Sequence, residues 1–202
     1  MTGPGICGMI LLVLVVASAY ANGQDGKKPG DIKEFVNTSE LIWTYSSTGG
    51  SQAICRVDKK EMISGLQIFF QRSFRWRHNR NWTHRNYHGK FISRNSIRDT
   101  IYSTMLVSRP DYQRLNSWHT KEHLVYQSKD NQCGVFRTSK LSANGIDSTL
   151  LFVDLRLKNS TVQSGPDQDC WKAFNETRRQ KKIYKRYTRE CQSLVKGDNS
   201  FQ

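Results

Sequence analysis

From Leu41 to Leu157 the chain runs as a succession of short segments in which apolar and polar residues alternate, with aromatic and β-branched side chains prominent and polar turn clusters between them. A period of two puts every second side chain on one face, which is the pattern of a half-buried strand and not of a helix with one apolar stripe. Eight segments qualify: Leu41–Tyr45, Ala53–Met62, Gly65–Trp76, Tyr87–Ser93, Thr100–Ser108, Glu122–Ser128, Cys133–Ser139 and Thr149–Lys158. Short links make neighbours antiparallel, and eight such strands can close into a barrel with room for one small ligand; a flat sandwich is the alternative. The fold class is therefore mainly β.

The flanks read differently. Gly30–Val36 is expected to be a short helix capped by Asp31. After the Gly165-Pro166-Asp167 turn, Asp169–Lys182 carries Trp171, Phe174 and Arg178 at spacings of three and four, the mark of a helix packed on the barrel wall. Acidic residues at its start and basic residues at its end suit the helix dipole. The tail Ile183–Cys191 is expected to return as an extended segment. No repeat or Pro-rich linker divides the chain, so residues 22–202 form one domain.

Residues 1–21 read as a signal peptide, because the apolar run Ile10–Val16 is followed by small residues, with cleavage after Ala19 or Ala21. The run is too short to span a bilayer core of about 30 Å. Secretion explains the cysteines: without Cys7, four remain at Cys55, Cys133, Cys170 and Cys191, and their wide spacing favours two disulfides over a metal site. Four sequons, at Asn37, Asn81, Asn159 and Asn175, mark glycosylation acceptors. Lys and Arg total 31 against 17 acidic residues, a net charge of +14 that attracts anionic partners such as sulfated glycans.

Three motifs suggest chemistry and lose it in context. His119-Thr120-Lys121-Glu122-His123 matches an inverted zinc-protease motif, which needs a helix; here Leu124-Val125-Tyr126 follows as strand, placing Glu122, Leu124 and Tyr126 on one face and both histidines on the other. Arg72–Arg85 mixes five arginines with Phe74, Trp76 and Trp82, a composition seen in nucleic-acid binders, but in a secreted chain it reads as a strand with Phe74 and Trp76 inside, running into a solvated loop at Asn79–Asn81. Arg178–Arg186 is basic like a nuclear signal, and behind a leader it reads as a solvated helix end or a glycan-binding patch. No nucleophile elbow, phosphate loop or calcium loop is visible, so the expectation is a binder, with no enzyme activity, cofactor or metal.

Four blocks resemble the tick salivary lipocalins, the histamine-binding protein family: Leu41-Ile42-Trp43-Thr44-Tyr45-Ser46, Cys133-Gly134-Val135-Phe136, Asp154–Ser160 and Gly165–Cys170, with Tyr187–Gln192 fitting as well. The matches span Asp31 to Gln192 and agree in order with the strands, the helix and the cysteines. The general Gly-x-Trp signature is missing, since Leu41 stands two positions before Trp43. The resemblance implies pairing of Cys55 with Cys191 and of Cys133 with Cys170. It also implies inward carboxylates that pair a ligand ammonium and aromatic faces that bracket its ring. The family's ligand motif is degraded here: Gly134 replaces a carboxylate, Asp154 stands for a glutamate, and Arg156 replaces an aromatic residue.

The expected ligand residues are Trp43, Tyr102, Glu122, Tyr126, Phe152, Asp154 and Arg156. With Asp154 inward, alternation turns Phe152 and Arg156 inward as well, and Leu151, Val153, Leu155 and Leu157 toward the helix. Arg156 can then neutralise Asp154. The resulting expectation is a secreted monomer that sequesters a host mediator, a biogenic amine such as histamine or serotonin, and so blunts inflammation. A lipid acid held by Arg156, or a host protein or sulfated glycan on the basic surface, are the alternatives; no nucleic acid or membrane partner is expected.

Overall fold

The structure is a computed structural model that describes residues 30–78, 81–93, 101–109, 118–142, 147–198 and 201. The expected signal peptide with Cys7 lies outside the described residues, as do Asn79, Arg80 and Thr100. A short helix α1 (Ile32–Val36) leads into eight strands: β1 (Ile42–Ser47), β2 (Ala53–Ser64), β3 (Gln67–Trp76), β4 (Trp82–Ile92), β5 (Thr104–Ser108), β6 (Thr120–Gln127), β7 (Cys133–Leu141) and β8 (Asp147–Lys158). Helix α2 (Gln168–Arg178), a two-residue strand β9 (Tyr184–Lys185) and helix α3 (Glu190–Lys196) complete the chain.

Each strand from β2 to β8 pairs antiparallel with the next, and β1 pairs with β8 on one side and with β2 on the other. The sheet therefore closes on itself, which removes the sandwich alternative and leaves no free edge along the ring. β4 starts at Trp82 and not at the expected Tyr87, because the backbone of Trp82–Asn86 pairs with that of Arg75–Gln71 whatever the polarity of its side chains. β5 starts at Thr104, later than expected.

Alternation sorts the apolar side chains into two cores. Inside the barrel lie Ile42, Ile68, Phe70, Met105, Leu124 and Phe136, closed at one end by Ile32, Phe35 and Val36 of α1. Outside, Val57, Val135, Val153, Leu155 and Leu157 pack with Cys170, Ala173 and Phe174 of α2 and with Cys191 and Val195 of α3. The outward orientation expected for Val153, Leu155 and Leu157 is met, while Leu151 stays solvent-exposed. Phe35 and Phe174 are fully buried, one in each core, each contributing about 1.5–3 kcal/mol. Asp31 caps α1 as expected, its Oδ1 accepting from the backbone N–H of Lys33 at 2.9 Å.

Two disulfides form, Cys55–Cys191 and Cys133–Cys170, spanning 136 and 37 residues, the pairing that the resemblance implies. The second ties β7 to the first turn of α2, where the side chain of Asp167 accepts from Cys170 N–H at 2.7 Å. The C-terminal expectations need correction. α2 ends at Arg178, four residues short of Lys182, because Arg179 adopts φ 56° and breaks the helical run. The tail is extended only at Tyr184–Lys185; Glu190 starts a new helix whose Cys191 and Val195 face the core one turn apart.

Candidate functional site

The barrel interior holds charge. β2 bulges between Ile54 and Val57, and Cys55 at the bulge adopts φ 51°, a left-handed conformation uncommon for a residue with a side chain. Cys55 and Val57 join the outer core, which leaves Arg56 and Asp58 pointing inward. On β3, Arg72 shares parity with Phe70 and Phe74 and is drawn inside with them. β6 contributes Glu122, and β8 contributes Asp154 and Arg156.

These six side chains form one network of three guanidiniums and three carboxylates. Arg72 donates to both oxygens of Asp58, each at 2.7 Å, and to Glu122 Oε1 at 2.9 Å. Arg156 donates to Glu122 Oε2 at 2.7 Å and to Asp154 Oδ2 at 3.0 Å. Arg56 donates through Nη2 to the same Asp154 Oδ2. Burial alone would raise the Glu122 carboxyl, but Arg156 and Arg72 outweigh it and hold it far below the usual carboxylate range. Asp154 is lowered in the same way, burial opposing and Arg56 and Arg156 prevailing.

The network is incompletely satisfied. Arg56 Nε, Arg156 Nε and Thr138 Oγ1 are buried with no hydrogen-bond partner among the described residues, while the Ser47 hydroxyl gives Asp154 a further hydrogen bond beside the two guanidiniums. Thr138 lies directly across from Glu122 on one side and Phe152 on the other, so the orphaned atoms gather in one region. Aromatic faces line it: the Arg56 guanidinium sits 5.4 Å from the Phe152 ring centroid and that of Arg156 4.3 Å from Phe136. Between the network and α1 remains a cavity of about 20 Å³, bordered by Phe35, Phe70, Met105, Asp58 and Arg156, with room for about one water.

Of the expected ligand residues, the fold brings Glu122, Asp154 and Arg156 together, with Phe152 beside Arg56. The other three lie elsewhere. Trp43 faces the outer core, where its Nε1–H donates to Asn159 at 2.8 Å and its ring meets Tyr187 edge-on. Tyr126 does not share the face of Glu122: a bulge between Leu124 and Tyr126 turns it to the outer core opposite Val135. Tyr102 sits at the α1 end, its carbonyl accepting from Ile32 N–H at 2.6 Å. The zinc-motif residues part as alternation requires, Glu122 inside and His123 bonded to Thr104 at 3.0 Å.

At Gly134, where the resemblance places a carboxylate, the space for a side chain is filled by neighbours on β7, β6 and α1. A Cβ there would stand 2.9 Å from the Phe136 ring and 3.1 Å from that of Phe35. Sequence reasoning missed Arg56, Asp58 and Arg72. Polar residues alternating along β2 resemble a solvent-facing strand, and only the shared parity of Arg72 with Phe70 and Phe74 hinted at an inward charge.

Among solved structures, the barrel is similar to the AM182 serotonin complex, with TM-score 0.55 at 12% identity over 81% of this chain and 93% of that one. It is also similar to the siderocalin Ex-FABP, with TM-score 0.50 at 6% identity over 77% and 95% of the two chains. The chain has the lipocalin fold. Japanin from Rhipicephalus appendiculatus, bound to cholesterol, aligns with TM-score 0.44 at 11% identity over 69% of this chain and 85% of that one. No family model and no curated protein matches this chain in sequence.

Proposed function

We propose that this lipocalin is a secreted, non-enzymatic binder that sequesters a small host mediator of the biogenic amine class, serotonin or histamine, in its barrel. One observation carries the reading: the buried carboxylate of Asp154 holds the guanidiniums of Arg56 and Arg156 against the rings of Phe152 and Phe136, and the Nε of each guanidinium makes no hydrogen bond among the described residues. Buried ion pairs are often no more stabilising than apolar residues of the same volume, so an incompletely bonded network is a poor structural filler and a reasonable ligand contact. A carboxylate beside an aromatic face suits an organic ammonium. The likeness to a serotonin complex and the leader-like N-terminus support the same reading.

The lipid-acid alternative needs a free Arg156, which Glu122 and Asp154 both hold, whereas an amine has only to replace the single contact of Arg56 on Asp154. Calorimetry and native mass spectrometry with serotonin, histamine and a long-chain fatty acid test the proposal. A 1:1 amine complex is expected; folded protein that takes up neither amine ends it. A second reading, in which the barrel is a scaffold and the basic surface binds a sulfated glycan, is favoured by the small size of the remaining cavity.

A further inference from the structure

Arg56 stands where an amine ligand would stand. It meets Asp154 with its charge and Phe152 with its face, the two contacts that recognise an organic cation. We propose that Arg56 is a built-in competitor for the cation place on Asp154, and that its displacement is what opens the site. The inference rests on the amine reading above and names the residue that sets its affinity.

Three observations single out Arg56 among the three guanidiniums. Its side chain makes one hydrogen bond, to Asp154, whereas Arg72 makes three and Arg156 makes two to separate carboxylates. It is the most exposed of the three, 15% against 10% for Arg72 and 2% for Arg156, so it is the one in readiest contact with solvent. It also shares a single oxygen, Oδ2, with Arg156, while Oδ1 of the same carboxylate meets neither guanidinium. Electrostatics agree with this order: burial and the fields of Arg72 and Arg156 push Arg56 down against the pull of Asp154, while Arg72 and Arg156 are raised by their carboxylates. The backbone holds Arg56 in place, through the bulge at Cys55, the Cys55–Cys191 bond and the hydrogen bond from Cys55 N–H to Arg186 O at 2.7 Å. Only the side chain has to move.

The inference gives Arg56 a sign opposite to that of an ordinary binding residue. Arg56→Gln and Arg56→Met are expected to bind serotonin or histamine at least tenfold more tightly than the parent, and adding Asp154→Asn is expected to remove the gain. In the parent protein, modification by phenylglyoxal followed by peptide mass spectrometry is expected to label Arg56 faster at saturating amine than without it. Tighter binding by either folded variant supports the proposal. A parent that binds amine while the folded variants bind equally or more weakly overturns the role of Arg56 and leaves the amine reading intact. Amine-bound parent in which Arg56 is no more reactive than before does the same, and this measurement stands should the variants fail to fold. Absence of amine binding by the parent and both folded variants overturns the two together.

Discussion

Arg156 Nη1 and Glu122 Oε2 meet at 2.7 Å between strands β8 and β6, with neither side chain more than 2% exposed. Both would be costly alone, and each is tolerated because the other is present. Glu122→Leu leaves Arg156 and Arg72 short of a carboxylate and is expected to cost about 3–5 kcal/mol. In urea it should lower the midpoint at unchanged slope. Adding Arg156→Leu should recover part of the loss; a double variant as unstable as the sum of the singles would show that the two do not act as a pair.

Acid should find the same network. Glu122 and Asp154 have folded pKa values held below their ordinary values of 4.5 and 3.8 by their arginine partners. A carboxyl depressed in this way contributes stability that is present above its unfolded pKa and lost as pH falls through the folded one. Stability from these groups should stay level from pH 8 to about 5 and decline below about 4.5. Urea midpoints at pH 7, 5, 4 and 3 should fall less steeply in Glu122→Gln than in the parent, and parallel curves would refute the assignment.

The two disulfides should differ in worth. In the chain-entropy view, closing 136 residues contributes about 5 kcal/mol and closing 37 about 4 kcal/mol. Paired Cys→Ala variants, compared in urea, should both be destabilised, with loss of Cys55–Cys191 the larger effect. A non-reduced digest should contain both linked peptides and no Cys55–Cys133 peptide.

Restoring a family-like carboxylate should fail. Gly134→Asp places a Cβ against Phe136, Leu124 and Phe35 and buries a charge at a position filled by rings. Its melting temperature should fall well below that of Gly134→Ala, which brings the steric conflict without the charge. Equal melting would show that the barrel yields there more readily than its packing implies.

The basic surface gives a separate test. Arg179, Lys181, Lys182 and Lys185 are exposed beyond the end of α2, whereas Arg178 is occupied by Asn175 and by the carbonyl of Lys181. Neutralising the four should lower the salt needed to elute the protein from heparin, since such contacts are screened over about 8 Å at physiological ionic strength. Unchanged elution would make this segment an ordinary solvated surface.

Strand alternation carried most of the fold, because apolar parity survives along β3, β6, β7 and β8 wherever the ladder is regular. It failed at irregularities. The bulge at Val125 moved Tyr126 to the other face, and no polar or apolar pattern foretells an inserted residue. The positive φ of Arg179 ended α2 within a run of good helix formers. At the site, Asp154 and Arg156 were legible as a local pair two residues apart on one strand, but Arg56, Asp58 and Arg72 reach them only through barrel closure, a long-range event with no local mark.

The ion network crosses the barrel from β2 and β3 to β6 and β8, and so it acts as a floor at mid-depth. Ile68, Phe70, Met105 and Phe136 lie with α1 on one side of it, around the small cavity that Asp58 and Arg156 also border. A guest entering past Arg56 therefore reaches charge before it reaches hydrocarbon. Length becomes a criterion of selection: a compact polar molecule can rest on that floor, while a long aliphatic chain would have to part the arginine–carboxylate network before burying its first methylenes.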